Sequence, residues 1–395
     1  MNNIVISSME GNIIYKNNHV NNIYEACTCC YDNTKCIPYD EKKEYISKRI
    51  NVGHESMLEH GRLAIKITNI KHTSLITELT TLEYSKWLEF YTIHNTDDTY
   101  ILIINGNMRS YKHFFVNTTE DDHERNPLIR IIHSLLINNT VGALYGTEFT
   151  MYKEKPDFVE IEGFFDEQEE ELENILLPHN GIEYDTVKHL DVKGTSVSVN
   201  KNTTQKRKSI SFGIDKVAYN RLINDIDIST TIIDRIIPIT ILFNNMSRTA
   251  THQLVRHRNA ITQESQRYVS YNDASFTIPV PEYSEDSKKH NITLFGVTKE
   301  VTLQDLSREL MSVYTQLVNS GLKKEEARGF LPSNVNCRRL YMTFTIESLW
   351  AFIKLRCDEH AQYEIRQYAN ASLDAFKSVL DDIYISSESS KDTTI

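Results

Sequence analysis

The chain has 395 residues, 40% hydrophobic and 25% charged, a balance expected of one large or two ordinary water-soluble domains. Its 54 acidic against 43 basic side chains leave a net charge of −11, which argues against broad nucleic-acid binding. There is no apolar run near the ~20 residues of a membrane span and no signal-peptide pattern at the start, so a cytoplasmic protein is expected.

In chain order, residues 22–31 and 45–52 read as helices. Cys27, Cys29, Cys30 and Cys36 cluster there without the paired Cys-x-x-Cys spacing of zinc ligands, and they read as small buried residues. No metal is expected. Gly53-His54-Glu55-Ser56-Met57-Leu58-Glu59-His60 follows, with Ser56 and Glu59 at capping-box spacing. Residues 63–68 suggest a strand, 72–91 a helix, and 100–104 a buried strand. Asn105-Gly106-Asn107 signals a turn, and a helix restarts over 109–114. The acidic stretch 158–174 reads as a solvated face or loop, and the polar stretch 194–209 as a linker. Residues 236–243 are an apolar strand feeding a helix.

That helix opens the most informative stretch, from Gln253 to Tyr268. Arg256, His257, Arg258 and Arg267 stand close together in an acidic chain. Bound phosphate is the commonest reason, since guanidinium grips phosphate through two parallel hydrogen bonds. Gln253 and Arg256 are three apart and share a helix face. His257 and Arg258 turn to neighbouring faces and can serve a second ligand. Residues 348–368 read as one long helix carrying Arg356, with His360 one turn later on the same face. The tail 386–395 is polar and reads as disordered.

Three blocks, in order, resemble the flavin-dependent thymidylate synthases. Arg256-His257-Arg258, followed after a short spacer by Ser265-Gln266-Arg267-Tyr268, is similar to the family signature, with a spacer one residue shorter than usual. Gly53 to His60 looks like the family's Gly-His-x-Ser-x-x-Glu-His element. Leu355-Arg356 with His360-Ala361-Gln362-Tyr363-Glu364-Ile365 looks like its C-terminal block.

The resemblance implies an α+β fold, a sheet flanked by helices, and synthesis of dTMP from dUMP with methylenetetrahydrofolate, FAD and NADPH. It assigns Gln253, Arg256, Glu264, Ser265, Arg267, Arg328 and Arg356 to dUMP. Arg356 also stabilises negative charge on the pyrimidine. To the flavin or folate it assigns His54, Ser56, Glu59, Asn107, Arg109, His257, Arg258, Glu264 and His360. Ser265 could be read as a nucleophile, but that needs a base within hydrogen-bond reach, and the resemblance implies binding only. Arg328 also suits a cation at a helix C-terminus ahead of Gly329, and His360 suits a structural role equally well. Without a Gly-x-Gly-x-x-Gly element, the flavin would not sit on a Rossmann turn.

The family's chain is usually little more than half this long. Either one unit has received an insertion, or the chain is an internally duplicated, diverged pair: 1–193, a linker at 194–209, and 210–385. Residues 107–114 align with 345–352. The family's Asn-x-Arg element survives at Asn107 and Arg109, while Thr345 and Glu347 replace it in the C-terminal half. A duplicated chain implies a homodimer resembling the family's tetramer, and an insertion implies a homotetramer. Two other readings stay open: a catalytically silent family member acting as a binding or assembly subunit, and an RNA-binding protein using the Arg-rich block.

Overall fold

The computed structural model describes residues 4–6, 8–17, 19–31, 37–138, 159–160, 182–184, 196–198, 209–272, 275–277 and 288–389. They are mixed helix and antiparallel sheet, an α+β fold. The chain divides into two compact units. The first holds 1–27, 35–180 and 214–239; the second holds 28–34, 181–213 and 240–395. Among the described residues, no helix is long and apolar enough to cross a membrane.

The first unit is built on a sheet whose strands run, edge to edge, Glu89–His94, Tyr100–Asn107, Arg62–Ile70, Met9–Lys16, Ile4–Ile6 and Val159–Glu160. Its central strands are rich in Ile and Leu, and Ile65, Ile67, Leu102, Ile103 and Ile104 are fully buried. Such continuous apolar runs suit a sheet covered on both faces. Helix Pro127–Asn138 packs so closely that a Cβ on Gly11 would lie 2.1 Å from Ile131. Helix Met108–Asn117 buries Met108, Tyr111, Phe114 and Phe115.

The second unit is built on a sheet in the order Ala260–Gln263, Asn336–Thr345, Pro238–Ser247, Ser209–Ile214 and Ile182–Tyr184. Helix Leu303–Asn319 starts at a Thr302–Asp305 capping box and covers a small core of Tyr271, Phe276, Met311, Tyr314 and Val335.

Several sequence expectations change. The helix expected over 72–91 stops at Thr81, and Glu89–His94 is a strand on the sheet edge. Phe90, Tyr91, Thr92 and Ile93 suit a pleated surface better than a helix. Asn105-Gly106-Asn107 is no turn. It finishes a strand, and Gly106 is there because a Cβ would meet Leu88 at 2.6 Å. Ser56 forms no capping bond, because Glu55 takes the cap position and Glu59 pairs elsewhere. The helix expected over 348–368 is two, Ile346–Arg356 and Tyr363–Ser389. In the break, the Asp358 carboxylate accepts from the His360 amide and the Asp358 carbonyl from Ala361. The second helix also takes in 386–389 of the expected tail. Within the expected linker, Ser196–Ser198 is a strand paired with Ser275–Thr277. Apart from Val159–Glu160, the acidic stretch 158–174 lies outside the described residues, as do Cys36 and 390–395. Cys27, Cys29 and Cys30 sit in helix His19–Tyr31, the first two fully buried.

Candidate active site

The site in the second unit begins where strand Pro238–Ser247 turns into helix Arg248–Leu254. Ser247 caps the helix, its hydroxyl accepting from the Ala250 amide. Buried Glu364 fixes this junction: its carboxylate accepts from the Ser247 amide at 2.8 Å and from the Ser247 hydroxyl. The helix then tightens into one 3-10 turn, Val255–His257. Arg258 follows at φ +52°, a left-handed conformation that ends the helix and returns the chain to strand Ala260–Gln263.

Arg356, the last residue of helix Ile346–Arg356, meets this turn. Its Nε donates to His257 Nε2 at 3.1 Å, its Nη1 to Gln253 Oε1 at 3.4 Å, and its Nη2 to the Gln253 carbonyl at 3.4 Å. Gln253 Nε2 in turn donates to Gln362 Oε1 at 3.4 Å. Two blocks a hundred residues apart in the chain thus share one hydrogen-bonded cluster. Burial, and then the Arg356 charge, holds His257 down to about 4. His257 is therefore neutral at pH 7 with Nε2 as a lone-pair acceptor, which orients the guanidinium. Burial, and then the charge of Arg256, lowers Arg356 as well. Arg256 and Arg258 are exposed, and among the described residues no carboxylate comes within ion-pair distance of Arg256, Arg258 or Arg356. An uncompensated pair of neighbouring guanidiniums is an anion site in waiting.

Glu264 and Ser265 follow strand Ala260–Gln263. Glu264 is 1% exposed, and its carboxylate accepts from the Arg338 amide at 2.7 Å, so it holds the loop from beneath. Under the loop, buried Arg248 donates to the Glu264 carbonyl and to the Tyr271 hydroxyl. The Ser265 amide donates to the Cys30 carbonyl and its hydroxyl accepts from the Arg267 amide. Arg267 pairs with Glu325 at 3.1 Å, and Arg328 Nε donates to the Glu325 carbonyl. Arg267 and Arg328 are thus both tied to Glu325. His360 sits exposed in the break between the two helices and not one turn along from Arg356.

His54, Ser56, Glu59, Asn107 and Arg109 belong to the first unit. Gly53 at φ +85° turns the chain into the 3-10 turn Ser56–His60. Arg109 donates to Glu59 at 2.6 Å and Lys112 to Glu55 at 2.7 Å, so this turn is tied to helix Met108–Asn117. Asn107 caps that helix, its side-chain oxygen accepting from the Ser110 amide at 2.9 Å.

Sequence reasoning did not single out four side chains that build the site. Gln362 and Glu364 stood inside the quoted C-terminal block, and that was their signal. Arg248, buried, and Arg338, half-buried and joined to Glu264 through its backbone amide, had none, because such residues are recognisable only from their tertiary partners.

Comparison with known proteins bears on the family. The family model described as "Thymidylate synthase complementing protein" matches residues 194–380. A flavin-dependent thymidylate synthase of Thermococcus onnurineus is 37% identical over 134 residues, 33% of this chain and 51% of the relative. One from Pyrococcus furiosus is likewise 37% identical, over 133 residues, 33% of this chain and half of the relative. One from Geobacter sulfurreducens is 31% identical over 186 residues, 44% of this chain and 75% of the relative. The chain therefore spans about half the length of the first two relatives and three quarters of the third. With the Arg-His-Arg turn, the Arg356 cluster and these matches together, the chain belongs to the flavin-dependent thymidylate synthase family.

Proposed function

We propose that this chain makes dTMP from dUMP, with methylenetetrahydrofolate as the one-carbon donor, FAD as the bound flavin and NADPH as the reductant. The observation that carries this reading is the Arg256–Arg356 pair, two guanidiniums beside a neutral His257 with no neutralising carboxylate among the described residues. In this reading Arg256 and Gln253 take the nucleotide phosphate. Arg356, oriented by His257 and Gln253, faces the pyrimidine and stabilises negative charge that develops on it. Ser265, Arg267 and Arg328 close around the nucleotide, with Glu264 holding their loop from below. Ser265 has a backbone amide and not a base on its hydroxyl, which supports binding over nucleophilic attack.

The residues present fit a flavin dinucleotide. Within the second unit Arg258 and His257 are a cationic and a neutral donor; the resemblance also assigns to the cofactor His54, Ser56, Asn107 and Arg109 of the first unit, where Arg109 is paired with Glu59. Glu55 and Glu59 are offset by Lys112 and Arg109. His360, exposed, is retained as a cofactor contact on family grounds. When bound, the flavin supplies the hydride that completes the methyl group. The protein contributes charge and position. It acts in the cytoplasm as a homo-oligomer.

The test is direct binding with the purified chain. Bands of oxidised flavin should accompany the protein or appear on adding FAD, and dUMP should bind. Arg256→Ala should lose dUMP affinity by on the order of 2–4 kcal/mol, a charge-assisted bidentate contact. A wild-type chain that takes up neither flavin nor dUMP would leave the silent assembly subunit as the better reading.

A further inference from the structure

We infer that this chain is an internal repeat in which the first copy has lost its nucleotide site, so that each chain binds one dUMP and not two. The inference rests on the nucleotide reading above for the identity of the ligand, but not for the repeat itself.

The repeat is visible in the topology of each sheet taken by itself. In the first, five strands in chain order are Ile4–Ile6, Met9–Lys16, Arg62–Ile70, Glu89–His94 and Tyr100–Asn107. In the second they are Ile182–Tyr184, Ser209–Ile214, Pro238–Ser247, Ala260–Gln263 and Asn336–Thr345. Both sheets run fourth, fifth, third, second, first, and the first sheet adds Val159–Glu160 beyond its first strand. In both, the first pair and the last pair are antiparallel. The connections match as well. Two helices join the second and third strands, His19–Tyr31 and Tyr39–Ile50 against Lys216–Ile223 and Thr230–Ile236, and the first copy adds the 3-10 turn Ser56–His60. A helix and a 3-10 turn join the third and fourth, Thr73–Thr81 with Glu83–Ser85 against Arg248–Leu254 with Val255–His257. Before its fifth strand the second copy adds strand Ser275–Thr277, a hairpin of Lys289–Leu294 and Val297–Thr302, helix Leu303–Asn319 and the short helical turns Lys324–Ala327 and Arg328–Phe330.

After the fifth strand the match extends to side chains. Asn107 and Thr345 each end the strand and cap the following helix, accepting from the amide of a serine three residues on, Ser110 and Ser348. Met108, Tyr111, Phe114 and Phe115 are buried at the same steps as Ile346, Leu349, Phe352 and Ile353. Similar topology can arise by convergence, but shared caps and buried steps in register are what copying leaves.

The chemistry has diverged. Counting from the cap, Arg356 corresponds to Thr118, a buried hydroxyl bonded to His133. The 3-10 turn Val255–His257, with Arg258 after it, corresponds to Glu83–Ser85, with Lys86 after it: Tyr84, which donates to Asp122, stands in place of Arg256, and Lys86, in place of Arg258, pairs with Glu83. The first copy therefore lacks both guanidiniums that make the anion site. At the second helical position after the cap the charges are reversed, Arg109 in the first copy and Glu347 in the second.

Calorimetric titration of the full chain with dUMP tests the division. One site per chain is expected, absent in Arg256→Ala with its melting temperature retained. Two sites per chain, or one site persisting in Arg256→Ala, overturns it. Absence of dUMP binding by the wild type sinks the nucleotide reading and with it the one-site claim. The repeat is judged separately by a crystal structure of the full chain. The five strands and the capped helix of one sheet are expected to superpose on those of the other with the same connections, and different connections would refute the repeat.

Discussion

Arg356 is held at three nitrogens, by His257, by the Gln253 side chain and by the Gln253 carbonyl. That is a requirement for a planar fork, which an ammonium cannot copy. Arg356→Lys is therefore expected to lose most turnover despite keeping its charge, and near-normal turnover would show that charge without geometry suffices. Ser265 gives the opposite expectation. Its hydroxyl accepts from a backbone amide and makes no pair with a base, so Ser265→Ala should keep measurable activity. Complete loss in a folded variant would return Ser265 to the role of nucleophile. At this scale the sequence was informative about residue type and weaker about partners. Arg256, His257 and Arg356 could be chosen from their motifs. That His257 serves as an acceptor for Arg356 could not, because it depends on where two distant helices end.

Among the elements, the strand-to-helix junction at Ser247 and the start of helix Tyr363–Ser389 set the site. Glu364, 4% exposed, accepts from both the amide and the hydroxyl of Ser247. Glu364→Ala leaves buried donors unpaired and should cost about 1–3 kcal/mol, read as a lower urea midpoint. It should weaken dUMP binding too, since Gln253 lies on the helix that starts at this junction and Arg256 on the 3-10 turn that continues it. An unchanged midpoint would remove Glu364 from this role. Elements with strong apolar pattern were legible before the structure: the strands over 63–68 and 100–104 and the helix restarting over 109–114. Failures came where pairing overrode local pattern. The edge strand Glu89–His94 carried a helical rhythm, and Asn105-Gly106-Asn107 carried turn residues that the sheet uses for close packing and for a cap. The break at 357–362 has no proline or glycine to announce it.

Across the whole molecule, the fold class followed from pattern and resemblance, whereas the sheet order did not, since strand pairing over such separations leaves little trace in one sequence. Acid sensitivity is a property of the same scale. Burial holds His60 down to about 3, and burial with Arg356 holds His257 down to about 4, both from 6.5. Each is neutral in the fold and binds its proton more readily when unfolded. Their contribution to stability is complete above about pH 6.5 and is lost as the pH falls through 4 towards 3. Urea midpoints should therefore fall steadily from pH 6.5 to pH 4, and a flat profile would mean that these imidazoles are not buried as described. Function is best judged on the purified full chain, by following dTMP formation from dUMP with methylenetetrahydrofolate, NADPH and FAD. Formation of dTMP that requires FAD and disappears in Arg256→Ala is the expected result. No dTMP from a folded chain, or dTMP formed equally well by Arg256→Ala, would contradict it.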